Sequence, residues 1–383
     1  MSGPLADLWV VELAGIGPAP FAGMVLADLG ARVMRIDRPG PSRYPGDPRH
    51  DLLNRGKRSA AVDLKHPAGA AAVRTLAARA DVLLEGFRPG VAERLGVGPD
   101  QCRSANPRLV YGRMTGWGQQ GPLAHTAGHD LTYLAASGVL HGLGPAGGPP
   151  VPPVNLLGDY GGGGMLLVGG VLAALWRAQR TGSGQVVDAA IVDGAALLAT
   201  QLYGMRADRL WSDERGTNLL DGGAPCYSVY RAADGGHLAV GPLEPEFYAE
   251  FLRRLGLDPD RTPPQYDVAQ WPRLRQLIAD RLATRTRDEW AEVFGDSDAC
   301  VAPVLSAEEA PAHPQLAARD VYIDVDGVRQ PAPAPRFSGT PAGPPRLPPP
   351  YPGEHTRQEL TDWGVPDVDA LVEAGVAVQA ATS

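Results

Sequence analysis

The stretch AGHDLTY (127–133) places a histidine beside an aspartate among small, hydroxyl and apolar residues. His129 is compatible with three roles: a structural side chain, a metal ligand, or a base, since the unperturbed pKa of histidine is close to neutrality. Asp130 is unsuited to orienting its neighbour, because adjacent side chains on a helix or strand point apart. A functional partner for His129 therefore has to come from elsewhere in the chain.

A second acidic residue, Asp159, stands in GDYGGGG (158–164), just before the apolar segment MLLVGGVLAALW (165–176). Taken alone, Asp159 is an ordinary loop residue or a cap for a helix that starts near Gly161. The four glycines suit either a close approach of a ligand to the backbone or tight packing of the helix. The spacing allows His129 and Asp159 to line one cleft.

Other motifs for chemistry are missing from the sequence. It contains no GxGxxG after its first predicted strand, no GxxxxGK[ST] and no GxSxG, which argues against dinucleotide, P-loop and serine-hydrolase sites. The 8 histidines include one HxxxH pair, His125 and His129, but no HxH pair and no His/Cys cluster, so we predict no metal site.

The elements around these residues predict an α/β fold. Apolar strands are predicted within 8–15, 31–39, 81–90 and 109–118, and they alternate with helices of about ten to fifteen residues, as in a Rossmann-like parallel sheet covered on both faces. Ligands of such sheets bind at the carboxyl ends of the strands. The polar residues that follow the strands, Arg38, Lys65 and those of 85–88, are therefore binding candidates.

A smaller α+β region follows. We predict a large domain over 1–190, a linker over 191–226, a small domain over 227–315, and a linker with a C-terminal return to the large domain over 316–383. The small domain should hold a hairpin within 227–241, turning at 234–236, and a helix over 247–257. The Pro-rich segment 330–356 should run extended over the large domain.

Composition limits the partners. The formal net charge of -8 disfavours nucleic acid and anionic membrane surfaces. Three widely spaced cysteines fit a reducing cytoplasm rather than a disulfide scaffold. The N-terminus lacks the pattern of a signal peptide, and the longest apolar run, 165–176, falls short of the roughly 20 residues that span a bilayer, so we expect a buried helix and a cytoplasmic protein.

Nine stretches, in order along nearly the whole chain, resemble the family III CoA-transferases. They lie at 10–39, 54–65, 81–99, 112–122, 127–133, 155–164, 221–230, 298–304 and 353–356. Within that family, GHD at 128–130 with GDYGGG at 158–163 is similar to the α-methylacyl-CoA racemase branch, because the transferase branch shares Asp159 but usually lacks the histidine.

The resemblance implies a racemase of 2-methylacyl-CoA thioesters. His129 and Asp159 would be the two bases that remove and return a proton on opposite faces of an enolate. Glu244 would hold the second ring nitrogen of His129, reaching it from the small domain of a partner chain. The implied assembly is a homodimer of two ring-shaped chains threaded through one another. Backbone N–H groups near Gly158 and Asp159 are candidates to hold the enolate oxygen.

The resemblance also implies a site for coenzyme A as part of the substrate, with no prosthetic group. Guanidinium and ammonium groups suit its phosphates. The residues assigned to it are Arg38, Val62, Asp63, Leu64, Lys65, Gly86, Phe87, Arg88, Arg94, Gly128, Asp130, Tyr133 and Gly158. Two other interpretations stay open: a family III CoA-transferase in which Asp159 is the acyl-accepting nucleophile, and a non-catalytic acyl-CoA-binding protein.

Overall fold

The computed structural model describes residues 3–345 and 347–380, which divide into two units. The first unit comprises the described residues within Met1–Ser137, Val154–Leu198 and Ala317–Ser383. The second unit comprises Gly138–Pro153 and Ala199–Leu316. The first unit is therefore assembled from segments that lie on both sides of the second unit in the sequence.

Seven strands form the central sheet of the first unit, in the order β12-β3-β2-β1-β4-β5-β6. Neighbouring strands are parallel except for β12, which pairs antiparallel with β3. This confirms the predicted α/β class with a mostly parallel sheet. In chain order, the strands of the described residues are β1 (Trp9–Leu13), β2 (Arg32–Asp37), β3 (Arg58–Val62), β4 (Val82–Glu85), β5 (Val110–Thr115), β6 (Val186–Ala190), β7 (Ser228–Arg231), β8 (His237–Val240), β9 (Val301–Pro303), β10 (Tyr322–Val325), β11 (Val328–Pro331) and β12 (Ala377–Val378).

Helices connect most of the strands. A π-helix, Leu156–Met165, runs directly into the sixth α-helix. In chain order, the α-helices of the described residues are α1 (Pro18–Asp28), α2 (Pro67–Ala77), α3 (Val91–Arg94), α4 (Pro99–Ala105), α5 (Asp130–Ala136), α6 (Leu166–Thr181), α7 (Ile191–Leu198), α8 (Thr200–Ala207), α9 (Pro245–Leu255), α10 (Trp271–Leu282), α11 (Arg287–Phe294), α12 (Pro314–Ala318), α13 (Thr356–Asp362) and α14 (Val368–Glu373).

Both faces of the central sheet are buried. Successive side chains on a strand point to opposite faces, so alternate residues of β1 enter different cores. Val11 and Leu13 belong to the core that includes residues of α2 and α13, whereas Val10 belongs to the core that includes residues of α1 and α6. Burial on both faces explains why these strands read as continuous apolar runs rather than alternating ones.

The helical run Leu156–Thr181 has one buried side and one exposed side. Leu167 and Val171 are fully buried against the sheet, whereas Trp176 is 64% exposed. Judged only by length and composition, this run is the one helix among the described residues that could cross a membrane. Within its most apolar 18-residue stretch, 39% is buried inside the protein. The buried side belongs to the core of the first unit.

The second unit is built on a three-stranded antiparallel sheet, β7-β8-β9, with α9, α10 and α11. Its core includes Phe251, Ile278 and Trp290, one from each helix. The predicted hairpin is formed by β7 and β8. The predicted helix over 247–257 is α9, which ends before Gly256 in the left-handed conformation (φ 76°).

The two segments predicted as linkers differ in secondary structure. The range 191–226 contains α7 and α8 and a turn in which the buried Asn218 side chain bonds Ser212 and Asp221. Between β11 and α13, the described residues form no helix or strand. This Pro-rich stretch lies along the first unit, where the N–H of Gly56 donates to the carbonyl of Leu347 at 2.9 Å.

Candidate active site

His129 lies at the N-terminal boundary of α5, as its N-cap residue in extended conformation (φ -137°, ψ 170°). The Thr132 hydroxyl holds this backbone: it accepts from the His129 N–H at 3.0 Å and donates to the His129 carbonyl at 2.7 Å. The imidazole is exposed. The fold therefore fixes the backbone of His129 and leaves its ring available.

Asp159 lies inside the π-helix Leu156–Met165. The expectation that it stands in a loop, or caps a helix starting near Gly161, was wrong. Glycines at 158 and 161–164 lack the side chains that would hinder close packing, and Gly162 and Gly194 approach each other through their backbones. Helical structure can therefore begin several residues before the apolar run that marks it in the sequence.

Burial raises the pKa of the Asp159 carboxyl above its ordinary value. The neighbouring charge of Asp130 raises it further, whereas a hydrogen bond from Asn155 and the proximity of His129 lower it. The Asn155 amide donates to Asp159 Oδ2 at 3.4 Å, a long hydrogen bond. Because desolvation is the largest effect, the site favours a protonated Asp159 more than water does.

Asp130 is buried, with 5% of its surface exposed, and it points to Asp159 rather than to His129. Its Oδ2 accepts a hydrogen bond from the Asp159 backbone N–H at 2.7 Å, and its Oδ1 has no partner in the described part of the chain. The Asp159 N–H is thus already occupied. An enolate oxygen would have to compete with a carboxylate for this donor, so a free N–H at Asp159, as expected for an oxyanion hole, is not found.

His129 and Asp159 line the same cavity, which has a volume of 490 Å³ and lies within the first unit. Gly17, at the start of α1, comes close to the acid: a Cβ there would lie 3.3 Å from Asp159 Oδ2. This cavity, called the proton-transfer cavity below, also has five other predicted residues in its lining. They are Gly86, Phe87, Arg88, Gly128 and Tyr133.

A second cavity of 460 Å³ lies at the carboxyl ends of β2 and β3. We call it the cationic cavity, because Arg38, Arg43 and Lys65 line it without forming an ion pair with any described residue, whereas the neighbouring Arg35 pairs with Asp37 at 2.9 Å. Phe87 lines both cavities. The predicted residues in its lining are Arg38, Val62, Asp63, Leu64, Lys65 and Phe87.

Four predicted site residues line neither cavity. Gly158 and Asp130 are buried behind Asp159, and a Cβ on Gly158 would come within 2.5 Å of Asp130 Oδ2. Arg94 is exposed at the end of α3. Glu244 belongs to the second unit, where it is the N-cap residue of α9. Among the described residues, no group of three or more His, Cys, Asp or Glu side chains could hold a metal ion.

Asn155 and Arg43 are among the cavity residues that were not singled out in the sequence. Asn155 precedes Asp159 by four residues, a spacing that brings side chains together on a helix, but the stretch was taken for a loop. Arg43 lies in a turn-rich segment beyond β2, and only its position a few residues after Arg38 marked it. Both omissions concern residues whose role depends on a neighbour in space.

The chain is similar to proteins of one family over almost its full length. The family model CoA-transferase family III matches residues 5–356. The alpha-methylacyl-CoA racemase of Mus musculus is 46% identical over 96% of this chain and 95% of its own length, and that of Homo sapiens is 47% identical over 94% and 93%. A crystal structure of a CAIB/BAIF family protein from Brucella suis matches with a TM-score of 0.82 and 27% identity over 95% of this chain and 100% of that one.

Proposed function

Because this chain belongs to CoA-transferase family III, we propose that it is a racemase that interconverts the (R) and (S) forms of 2-methylacyl-CoA thioesters. The observation that carries the proposal is that His129 and Asp159 line one cavity, with burial favouring the protonated acid. Full-length identity of 46–47% to the two racemases supports the same substrate class. The reaction needs acyl-CoA, and no prosthetic group enters the proposal.

The proposed reaction moves one proton off the α-carbon and one onto it. The thioester makes this C–H acidic, so a base on one face can take the proton, and the electron pair delocalises onto the thioester oxygen as an enolate. A protonated group on the other face then gives its proton to the same carbon. For one enantiomer His129 is the base and Asp159 the acid; for the other they exchange roles. The raised pKa of Asp159 favours the protonated form that it needs as the acid.

Coenzyme A would extend from one cavity to the other. The cationic cavity offers three unpaired cations for its phosphates, in a protein with a formal net charge of -8. The side chain of Phe87, shared by both cavities, would lie where the substrate passes from one to the other. The thioester would then reach the proton-transfer cavity, with Arg88 on its wall.

The proposal includes the family's interlocked homodimer and the assignment of Glu244 as the acceptor for His129. The His129 ring and the Glu244 carboxylate are both exposed, and the Glu244 carboxylate does not cap its own helix. A base that exchanges protons with substrate benefits from an acceptor on its other ring nitrogen, which fixes its tautomer. Two complementary groups, each exposed on its own unit, support a contact between chains.

The test is deuterium uptake at the α-carbon of a 2-methylacyl-CoA in heavy water, without an acceptor acid. We expect uptake by the unsubstituted protein and, for the enantiomer whose α-proton His129 removes, a loss of about 10²–10⁴-fold in His129→Ala, the range for removal of a general base. His125→Ala is the matched control, because His125 is an exposed histidine of the same loop that does not line the cavity.

A CoA-transferase would behave differently in the same assay. It would need a second carboxylic acid, it would form an acyl-enzyme on Asp159 that hydroxylamine traps, and it would not require His129. Near-normal exchange of both enantiomers in His129→Ala, or a hydroxylamine adduct on Asp159 without exchange, would contradict the proposed racemisation.

A further inference from the structure

Glu244 is carried on a short loop whose backbone is restricted on both sides. Pro242 and Pro245 flank it, and proline fixes φ and supplies no N–H. Glu244 itself is extended (φ -72°, ψ 146°), and its carboxylate does not cap α9. The side chain is exposed although the residue two positions before it is buried. The loop is therefore anchored within the second unit, and the Glu244 carboxylate points outward from it.

The base of this loop is held by one buried amide. Gln265, which is 9% exposed, donates from Nε2 to the carbonyl of Pro242 at 2.9 Å and to the carbonyl of Leu243 at 3.0 Å. An amide nitrogen has two hydrogens, and both are used here. The indole of Trp271 donates to the Gln265 carbonyl at 3.1 Å, which fixes the backbone of Gln265 in turn.

Two further contacts complete the support of the loop. The Tyr266 hydroxyl also donates to the carbonyl of Leu243. On the other side, the N–H of Gly241 donates to the carbonyl of Cys300 at 2.9 Å. Because the prolines provide no donors nearby, the carbonyls before Glu244 depend on side chains brought from residues 265 and 266. Gln265 and Tyr266 together donate three hydrogen bonds to the carbonyls of Pro242 and Leu243, and these bonds hold the exposed loop in place.

We propose that Gln265 is a positioning residue for the racemisation, which holds the Pro242–Glu244 loop so that the Glu244 carboxylate meets the catalytic histidine. This inference rests on the proposed function, in which Glu244 is the acceptor for His129. Gln265 touches neither substrate nor the reacting atoms and acts only through the loop.

The test uses Gln265→Met in the full-length protein, which keeps the length of the side chain and removes both donors. We expect kcat for α-deuterium exchange to fall about 10-fold or more with KM little changed, because displacement by about 1 Å far from the chemistry can cost up to 10²-fold. The pH profile of kcat should shift in the same direction as in Glu244→Gln. In the Glu244→Gln background, Gln265→Met should cause no further loss.

Two other variants keep the result interpretable. Gln276→Met is the matched control, since the Gln276 amide is exposed and, among the described residues, bonds only Asp280 on its own helix, and it should keep normal kcat. Tyr266→Phe removes one donor to the Leu243 carbonyl at an exposed position and should lower kcat a few fold. It replaces Gln265→Met as the test if that variant does not fold.

Normal kcat in a folded Gln265→Met would overturn the inference, and so would normal kcat in Tyr266→Phe if Gln265→Met does not fold. So would a loss from Gln265→Met that persists in full in the Glu244→Gln background, because the residue would then act independently of Glu244. Exchange by the unsubstituted protein tests the proposed function separately, so the two failures are distinguishable.

Discussion

At the residue scale, the neighbouring carboxylates Asp130 and Asp159 have different roles. Asp130 lies inside the protein and holds the Asp159 backbone at 2.7 Å, whereas Asp159 reaches the cavity. The charge of Asp130 also adds to burial in raising the pKa of Asp159. The aspartate next to His129 thus acts on the residue that faces the histidine in the proposed reaction.

Asp159→Asn should remove activity and stabilise the protein at neutral pH. An unfolded aspartate loses its proton at about pH 3.9, whereas the folded Asp159 holds it to higher pH. The native chain therefore loses stability as the pH rises through that window, and the amide variant does not. Urea-unfolding midpoints between pH 4 and pH 8 measure the difference. If the extra stability of Asp159→Asn over the native chain became smaller as the pH rose, the pKa of Asp159 would not be raised by folding.

The sequence predicted the two proposed reacting residues but not the residues that hydrogen-bond to the site around them. His129 and Asp159 were recognisable because motifs preserve the type and spacing of reacting groups. Asn155 and Gln265 were not, because their roles are hydrogen bonds to residues that the fold brings near. The bond from the Asp159 N–H to Asp130 spans 29 residues of sequence, and no local pattern encodes it.

At the element scale, the π-helix depends on close contact with two neighbours. A Cβ on Gly194 of α7 would overlap the carbonyl of Gly162, and one on Gly164 would lie 2.6 Å from the Phe21 ring of α1. Glycine is required at these positions because backbones meet without side chains between them. The packing thereby fixes where Asp159 lies relative to α1.

Gly194→Ala should therefore destabilise the first unit, and Gly169→Ala should not. The first substitution forces a methyl into backbone, for which we expect a loss of at least about 1–3 kcal/mol. Gly169 lies within α6 with open space around its Cβ position, so alanine should gain about 0.5–1 kcal/mol from helix propensity. Unfolding midpoints of the two variants in parallel provide the measurement. Equal effects would show that the glycines are not needed for packing.

The strands of the sheet were predictable to different degrees. β1, β2, β4 and β5 are apolar runs and lie within the predicted stretches. β3 is RSAAV, whose small residues do not suggest a strand, and β6 is an edge strand with exposed residues. β12 has two residues and exists only through its pairing with β3. Tertiary contacts rather than local preference define these three.

At the scale of the whole molecule, the proposed dimer makes a quantitative prediction. Chains carrying His129→Ala and chains carrying Glu244→Gln should each, on their own, interconvert the enantiomers far more slowly than the unsubstituted protein. If each site combines His129 of one chain with Glu244 of the other, a mixed dimer has one intact site and one doubly altered site. Random assembly after co-expression should then restore about one quarter of the normal exchange rate.

The control for this experiment is a mixture of the two variants purified separately and never unfolded together. It should stay at the low rate of the two variants, because interlocked chains do not exchange without unfolding. Failure of co-expressed chains to regain activity would place His129 and Glu244 of a working site on the same chain.

The two units were only partly visible in the sequence. The predicted small domain over 227–315 falls in the longer segment of the second unit, but the other segment, 138–153, was assigned to the large domain. That segment is held by contacts such as the one from Arg215 to the carbonyl of His141 at 2.7 Å. A short excursion of the chain leaves no periodicity, so sequence patterns alone do not assign it to a unit.

The position of β12 in the sheet also has a consequence for how the protein is made. On the ribosome, β3 is complete more than three hundred residues before Ala377 emerges to cover its edge. At typical translation rates this is roughly 15–60 seconds. Throughout that time the nascent chain shows an unpaired strand edge and lacks the Trp363 indole from its core. Chaperone dependence in the cell would therefore concentrate on this first unit, and slower translation of the last third of the message would prolong its exposure to aggregation.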